Sequence, residues 1–550
     1  MKVKNIFNKV LVGSVLVASA FTTSCVNDLD TTPIDDRIEV SDNVYKDADN
    51  YIKVLGKVYG NLALSGQKGP AGDGDIQGID EGHGQYLRGL FYATEYPTDE
   101  ANNCWQNEYD LSFGYTTLSY AASNTYVSAL YSRIFLGISY ANEFLRETTD
   151  EKLSARGLSA DAAFVSQVKQ YRAEARFLRA LSYWHAIDLF GNIPFVTEAD
   201  PVGSFNPPQK KKAEVFQFIV DELLEVTDGS GDEKLLEQAP YGTAGKYAGY
   251  MLLSKLYLNK NVYTFDYDNS STIPDRYPSG TAADYTEAAK YAKLVIDNGG
   301  YSLNADYTAN FRADNHLSDE IIFSIPCDGR STQSWGAMTF ILSGSLWTDW
   351  SGLETNYGTS GAWGGHRTTE EFASKFAATD SRALFNRELM RPENDDIFDF
   401  KSGVGIVKYK NLTTDGTIGS DKSFPDIDFP MFRLSDAMLM YAEAVKRGGT
   451  GDLTVATGYI NDIRQRSGQG DIGANWAIED VIDERARELY WECHRRTDLI
   501  RFGLLTSSEY VWPYKGNSET GTSVRSYKNL FPIPADEIGA NPTLEQNPGY

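Results

Sequence analysis

Cysteine is scarce in this chain and badly placed for cross-linking. The 550 residues carry four, Cys25, Cys104, Cys327 and Cys493, too far apart for a disulfide framework or a metal-binding spacing. Cys493 falls inside a helical pattern and is expected as a small core residue. Positive charge is also short: 51 Lys and Arg against 76 Asp and Glu leave a net charge of −25, which makes nucleic acid and anionic headgroups poor partners. Beyond the first two dozen residues no apolar run reaches the roughly 20 residues a membrane helix needs. Catalytic fingerprints are missing too. There is no HExxH, phosphate-binding loop, G-x-S-x-G or dinucleotide motif. Asp73-Gly74-Asp75 opens like an EF-hand loop, but its twelfth position is Gly84 where a glutamate is needed. The five histidines, His83, His185, His316, His366 and His494, have no triad or ligand spacing. Asp314, Asp426 and Asp428 would share a calcium only if their loops met, and turn or cap roles are the expected ones. No cofactor or metal ligand is therefore assigned.

What is present begins with an address. Lys2, Lys4 and Lys9 precede the mildly apolar Val10 to Phe21, a stretch too short to span a bilayer and built like a secretory signal. Thr23-Ser24-Cys25 followed by a polar run resembles a bacterial lipoprotein cleavage site. Residues 1–24 are then a signal peptide and Cys25 the lipidated N-terminus, whose acyl chains, at about 0.8 kcal/mol per buried CH₂, would hold the protein at a membrane. Cleavage removes three lysines and no acid from the net −25, leaving −28.

A chain of this length exceeds what one growing core supports and calls for several domains or stacked units. Val168, Tyr171, Ala175, Leu178, Leu181, Trp184 and Ile187 form one helical stripe within 166–190, stopped by Gly191 and Pro194. The same period recurs in 215–226, 245–258, 282–296, 434–445 and 478–500. The expected fold is mainly α, with tetratricopeptide-like helix pairs that bury their faces on one another, although the repeat consensus itself is absent. Residues 65–125, with nine glycines from Gly66 to Gly114, and residues 300–430, with short β-branched runs such as Ile321 to Ile325, lack the 3.6 period. They are expected as long ordered loops with small strands, and loops of that length are usually functional. Arg485, Arg487, Arg495 and Arg496 lie at helical spacing from Glu484, Glu488 and Glu492, as local ion pairs on a solvated or inter-helix face would. Trp184, Trp476 and Trp491 are expected in the core.

Five segments then carry a resemblance. They are Tyr171 to Ala180 with Asp188-Leu189-Phe190-Gly191-Asn192-Ile193-Pro194; Asp426 to Ala437; Asn461 to Gly468; Glu484 to Gly503; and Leu530-Phe531-Pro532-Ile533-Pro534 with the terminal Gln546-Asn547-Pro548-Gly549-Tyr550. In this order, behind a lipoprotein signal, they resemble the SusD/RagB family of outer-membrane nutrient-binding lipoproteins, over Cys25 to Tyr550. The division is a signal over 1–24, an N-terminal region over 25–240 and a C-terminal region over 241–550, the last two forming one compact helical unit. The resemblance implies a cell-surface glycan-binding lipoprotein that is not an enzyme. Such a protein captures oligosaccharides and passes them to a SusC-like TonB-dependent transporter in the outer membrane.

Asp80-Glu81-Gly82, Tyr86-Leu87-Arg88 and Pro97-Thr98-Asp99-Glu100 leading to Trp105 look closest to the starch-binding branch, which implies an α-glucan ligand. By that match Trp105, Trp335 and Trp363, all in glycine-bearing loops, form an aromatic arc for the C–H faces of pyranose rings. Asp80, Arg88 and Asn107 meet the hydroxyls. The family pattern departs at Asn107-Glu108, where an acidic residue should precede the asparagine. Trp335 likewise stands where the family's arc has a tyrosine. Two other ligands, fructan and host glycan, fit the same role. Outside it, an α-helical glycoside hydrolase needs a carboxylate pair about 5–10 Å apart, and a peptide-binding scaffold needs the loop aromatics buried.

Overall fold

The structure is a computed structural model that describes residues 41–72, 74–105, 112–203, 205–267 and 272–550. The signal segment, Cys25 and Asn107 lie outside those residues. Residues 52–550 form one compact unit.

The expected helices are present, most of them a little longer than the range read from sequence. Ala162–Phe190, Lys212–Asp228, Lys246–Leu258 and Ala282–Asn298 follow one another, Leu434–Lys446 and Ile478–Leu489 come later, and Thr125–Glu147 and Leu453–Arg466 are two further helices that the sequence reading did not single out. Their caps explain their starts. Asn124 and Asp161 accept from the first free N–H groups of their helices, and Thr281 and Asp284 make a reciprocal capping box. The long helix therefore begins at Ala162, four residues before the range read from sequence, and ends on Gly191 at φ 73°. In succession each helix from 125–147 to 282–298 packs on the next, and 434–446 packs on 282–298, 453–466 and 478–489. No helix among the described residues is long and apolar enough to cross a membrane.

Two parts differ from expectation. Tyr86–Thr94 and Ala337–Ser345, inside the segments expected as loops, are nine-residue helices with every residue buried. Nine residues fall short of the window of about 11–18 over which a helical period is read. The strand at Ile321–Ile325 does form, antiparallel to Phe429–Arg433, and Asn102–Asn103 pairs with His366–Arg367.

The second difference lies in 478–500, which is two helices, Ile478–Leu489 and Arg495–Phe502. At the break Trp491 and Cys493 take φ of 61° and 64°. Cys493 thus sits in a strained turn rather than a helix. Acids from another segment hold that turn: Trp491 donates its indole N–H to the Glu100 carbonyl at 3.0 Å, and the Cys493 N–H reaches Glu95 at 2.6 Å. Burial pushes Glu95 up to about 7.

The arginines expected in local pairs are mostly long-range partners. Arg487–Glu484 is such a pair at 2.7 Å, but Arg495 chelates Asp99, Arg485 joins Asp436 to Asp498, and Arg496 reaches Asp188. Glu488 and Glu492 instead face Arg433, which donates to Glu492 at 2.7 and 2.8 Å and to Glu488 at 3.1 Å, and which also pairs with Glu320. Lys408, Arg382 and Arg466 close the cluster. Burial is the largest influence on Lys408 and lowers it to about 8. Trp184, Trp476 and Trp491 are buried as expected, each with its indole N–H satisfied.

Removing one partner from a buried ion cluster leaves the others uncompensated, at a cost of about 3–5 kcal/mol. Arg433→Met should lower stability by that amount in urea denaturation. Arg276→Ala, which breaks an exposed pair with Glu509, should cost less than about 1 kcal/mol.

Candidate functional site

The site is built where the buried helix Tyr86–Thr94 begins. Gln85 is its N-cap: the side-chain oxygen accepts from the Arg88 N–H, and the same oxygen accepts from the Ala337 N–H at 2.9 Å. One amide thus starts two helices and binds their loops together. Glu81, one turn earlier and 8% exposed, accepts from the Trp335 N–H at 3.1 Å and from the Ser65 and Ser334 hydroxyls. The 333–337 loop is held by its backbone, which frees the Trp335 ring for other contacts. Gly82 is required here, since a Cβ would come within 2.9 Å of the Trp335 backbone.

Trp335 is 38% exposed. Its ring meets Trp363 at 6.0 Å and 48°, so the two planes make an open V, and Phe424 supports it at 4.8 Å. The Trp363 loop is fixed by Trp363 N–H to Ser343 and Gly364 N–H to Leu346. Trp105, half-buried, packs edge-on to His366 at 5.2 Å and lies against Phe340 at 5.9 Å. Gly365, two residues beyond Trp363, abuts the Trp105 ring so closely, at φ 116°, that no side chain fits. The structure thus joins Trp335 to Trp363 directly and Trp105 to the same loop through Gly365.

Asp80 and Arg88 are joined by His83, a residue that no motif singles out. The Asp80 side chain is 64% exposed and meets His83 Nδ1 at 3.3 Å, while His83 Nε2 lies 2.7 Å from Arg88 Nη2. His83 is stacked on Tyr126 at 4.9 Å. Arg88 is buried over the Phe340 ring at 4.2 Å, donates Nε–H to Tyr92, and donates through Nη1 to the Trp335 carbonyl at 3.2 Å. The acid, the imidazole, the guanidinium and the Trp335 loop are therefore one connected edge. Asn107 lies outside the described residues. Glu81, His83, Gln85, Phe340 and Phe424 were not selected from sequence. Only Glu81 had a signal, as the middle of Asp80-Glu81-Gly82.

The acids weighed for calcium have separate partners. Asp314 accepts from Thr414, Asp426 from Gly329 and Ser420, and Asp428 from Cys327, Ser324 and Tyr241. These are turn-holding roles. Among the described residues no group of three His, Cys, Asp or Glu could hold a metal ion.

Residues 393–550 match the model described as the SusD family, and residues 81–258 match one described as starch-binding, associating with outer membrane. The chain is 34% identical over 595 aligned positions to the starch-binding protein SusD of Bacteroides thetaiotaomicron, covering 100% of this chain and 99% of that protein. The chain belongs to the SusD family.

SusD-like protein P25 of Formosa agariphila is 24% identical over 69% of this chain and 73% of its own. Among solved SusD-superfamily folds, a protein from Parabacteroides distasonis superposes with a TM-score of 0.67 at 22% identity, covering 91% of this chain and 99% of that one. Surface glycan-binding protein A from Bacteroides thetaiotaomicron, solved with laminarihexaose, gives 0.66 at 20% identity over 91% and 99%. SusD-family membership makes this a non-catalytic, outer-membrane-associated protein, and the mainly helical architecture is the family's.

The geometry fixes a tautomer. A guanidinium only donates, so His83 Nε2 must accept from Arg88 and the ring proton sits on Nδ1, aimed at Asp80. In ¹⁵N NMR of histidine-labelled protein at pH 8, the signal lost in His83→Gln should be that of an Nδ1-protonated neutral ring. An Nε2-protonated ring would contradict the edge as described.

Proposed function

We propose that this protein binds an α-glucan at the cell surface, using the Trp335–Trp363 V with Trp105 as platform and Asp80, Arg88 and Asn107 as the hydroxyl-facing edge. The observation that carries this is the Trp335 ring, left exposed and angled against a second indole while a buried carboxylate pins its backbone. Flat rings so placed suit the C–H faces of pyranoses, and the Asp80–His83–Arg88 edge supplies acceptors and donors for hydroxyls. The starch specificity rests on the 34% identical relative, whose name states starch binding, and on the Asp80-Glu81-Gly82 and Trp105 segments.

Through Cys25 the protein is anchored in the outer membrane facing outward, and it hands its ligand to a SusC-like TonB-dependent transporter. Each ring contributes about 1 kcal/mol, and the hydrogen bonds contribute about as much again. Together these give affinities from roughly millimolar to tens of micromolar. Attachment of many copies to one polysaccharide raises the effective affinity.

Isothermal titration of the chain lacking residues 1–25 should give heat in that range with maltoheptaose and none with a fructan. Trp335→Ala and Trp363→Ala should each weaken binding about 5- to 10-fold, with no shorter sugars formed. Heat with laminarihexaose or fructan alone would reassign the glycan, and released products would overturn the binding role.

A further inference from the structure

The most exposed aromatic ring among the described residues lies away from this face. Tyr241 is 61% exposed, in the loop between helices Lys212–Asp228 and Lys246–Leu258, yet its hydroxyl is not free. It donates to both oxygens of Asp428, at 2.9 and 2.8 Å, and Asp428 is itself 1% exposed and accepts from the Cys327 N–H and the Ser324 hydroxyl. A surface tyrosine normally rotates about two side-chain torsions, and ordering it costs entropy at the moment of binding. Here that ordering is already done by a buried acid, and the ring face stays in solvent.

The ring forms one wall of a 290 Å³ cavity, close to the lower limit of about 300 Å³ for small-molecule sites. His316 adds a second ring at 5.6 Å and 56°. Glu237, Gln238, Ser318 and Asp319 supply polar groups around the opening. This is the same composition as the first face: an exposed ring, a neighbouring imidazole, and exposed carboxylates that accept hydroxyls and repel anions. No group of three metal-ligating side chains is present there or elsewhere among the described residues.

Resting on the glycan role proposed above, we propose that Tyr241, His316 and the Glu237–Asp319 rim form a second glycan subsite, sized for a terminal neutral pyranose. The spacing favours one chain reaching both. Asp428 grips the Cys327 N–H, and Trp335 is only eight positions beyond Cys327. At about 3.5 Å per residue they cannot lie more than about 28 Å apart. A long glycan engaged at both sites gains effective concentration without any new contact.

Hydrogen–deuterium exchange on the chain lacking residues 1–25, with saturating maltoheptaose, tests this. Segments 237–243 and 314–324 should be protected in the wild type and in Trp335→Ala/Trp363→Ala. Protection there should vanish in Tyr241→Ala and be partial in Tyr241→Phe, which keeps the ring and loses the pin. Soluble starch should bind Tyr241→Ala about 3- to 10-fold more weakly, with maltotriose affinity at the first face unchanged. Protection confined to 80–88 and 333–337 would overturn the second subsite and leave the first face standing. Protection of 237–243 by calcium chloride alone would make the acidic rim a cation site and also overturn it. Protection of neither region by maltoheptaose, laminarihexaose or a fructan would overturn both sites.

Discussion

One buried guanidinium ties a helix to parts of this protein that have no helix period of their own. Arg433 ends the strand Phe429–Arg433 and pairs with Glu320, Glu488 and Glu492 at once, with Lys408, Arg382 and Arg466 supplying the remaining positive charge. Each of those acids belongs to a different piece: Glu320 precedes the strand Ile321–Ile325, Glu488 lies on the helix Ile478–Leu489, and Glu492 lies in the strained turn after it. Desolvating so many charges is costly, and the arrangement holds only because every carboxylate finds a cation. The cluster sets the position of everything attached to it. The Glu320 side leads through Ile321–Ile325 to Cys327 and on to Trp335. The Glu492 side leads through Trp491 and Glu100 to Asn102, Asn103 and Trp105.

The proposed binding face is thus assembled from the far ends of two chains of contacts that begin in one ion cluster. Its last step is local. Glu81 and Gln85, at the start of the helix Tyr86–Thr94, take the loop N–H groups at Trp335 and Ala337, which fixes the backbone of the loop that carries Trp335. Rigid placement of a few rings on loops matters more than area for a weak, repeated interaction, because each ring ordered beforehand removes a cost from binding.

Much of the fold was legible because amphipathic helices announce themselves. The stripe from Val168 to Ile187, within 166–190, and the stop at Gly191 placed the start of the long helix to within four residues of that range. Tyr86–Thr94 and Ala337–Ser345 were hidden because nine residues make too few turns for a helical period to show. The break at Trp491 and Cys493 was hidden because its cause, Glu95 and Glu100, lies almost 400 residues away in sequence. Arg485 and Arg495 look like local partners of nearby glutamates for the same reason: helical spacing shows which charges can pair, but not which distant acid competes for them. At the site, loop position and family resemblance drew attention to the three tryptophans. Glu81 and Gln85 hold the Trp335 loop through its backbone N–H groups, while His83 acts on it through Arg88, and side-chain spacing carries no trace of that.

Presentation of Trp335 to the glycan by a buried acid can be measured with a double-mutant cycle, by titration with maltoheptaose. If Glu81 acts through Trp335, Glu81→Ala should weaken binding about as much as Trp335→Ala, and the double variant should be no weaker than Trp335→Ala alone, to within about 0.3–0.5 kcal/mol. Losses that simply add, with the fold of each variant intact by circular dichroism, would contradict that role for Glu81.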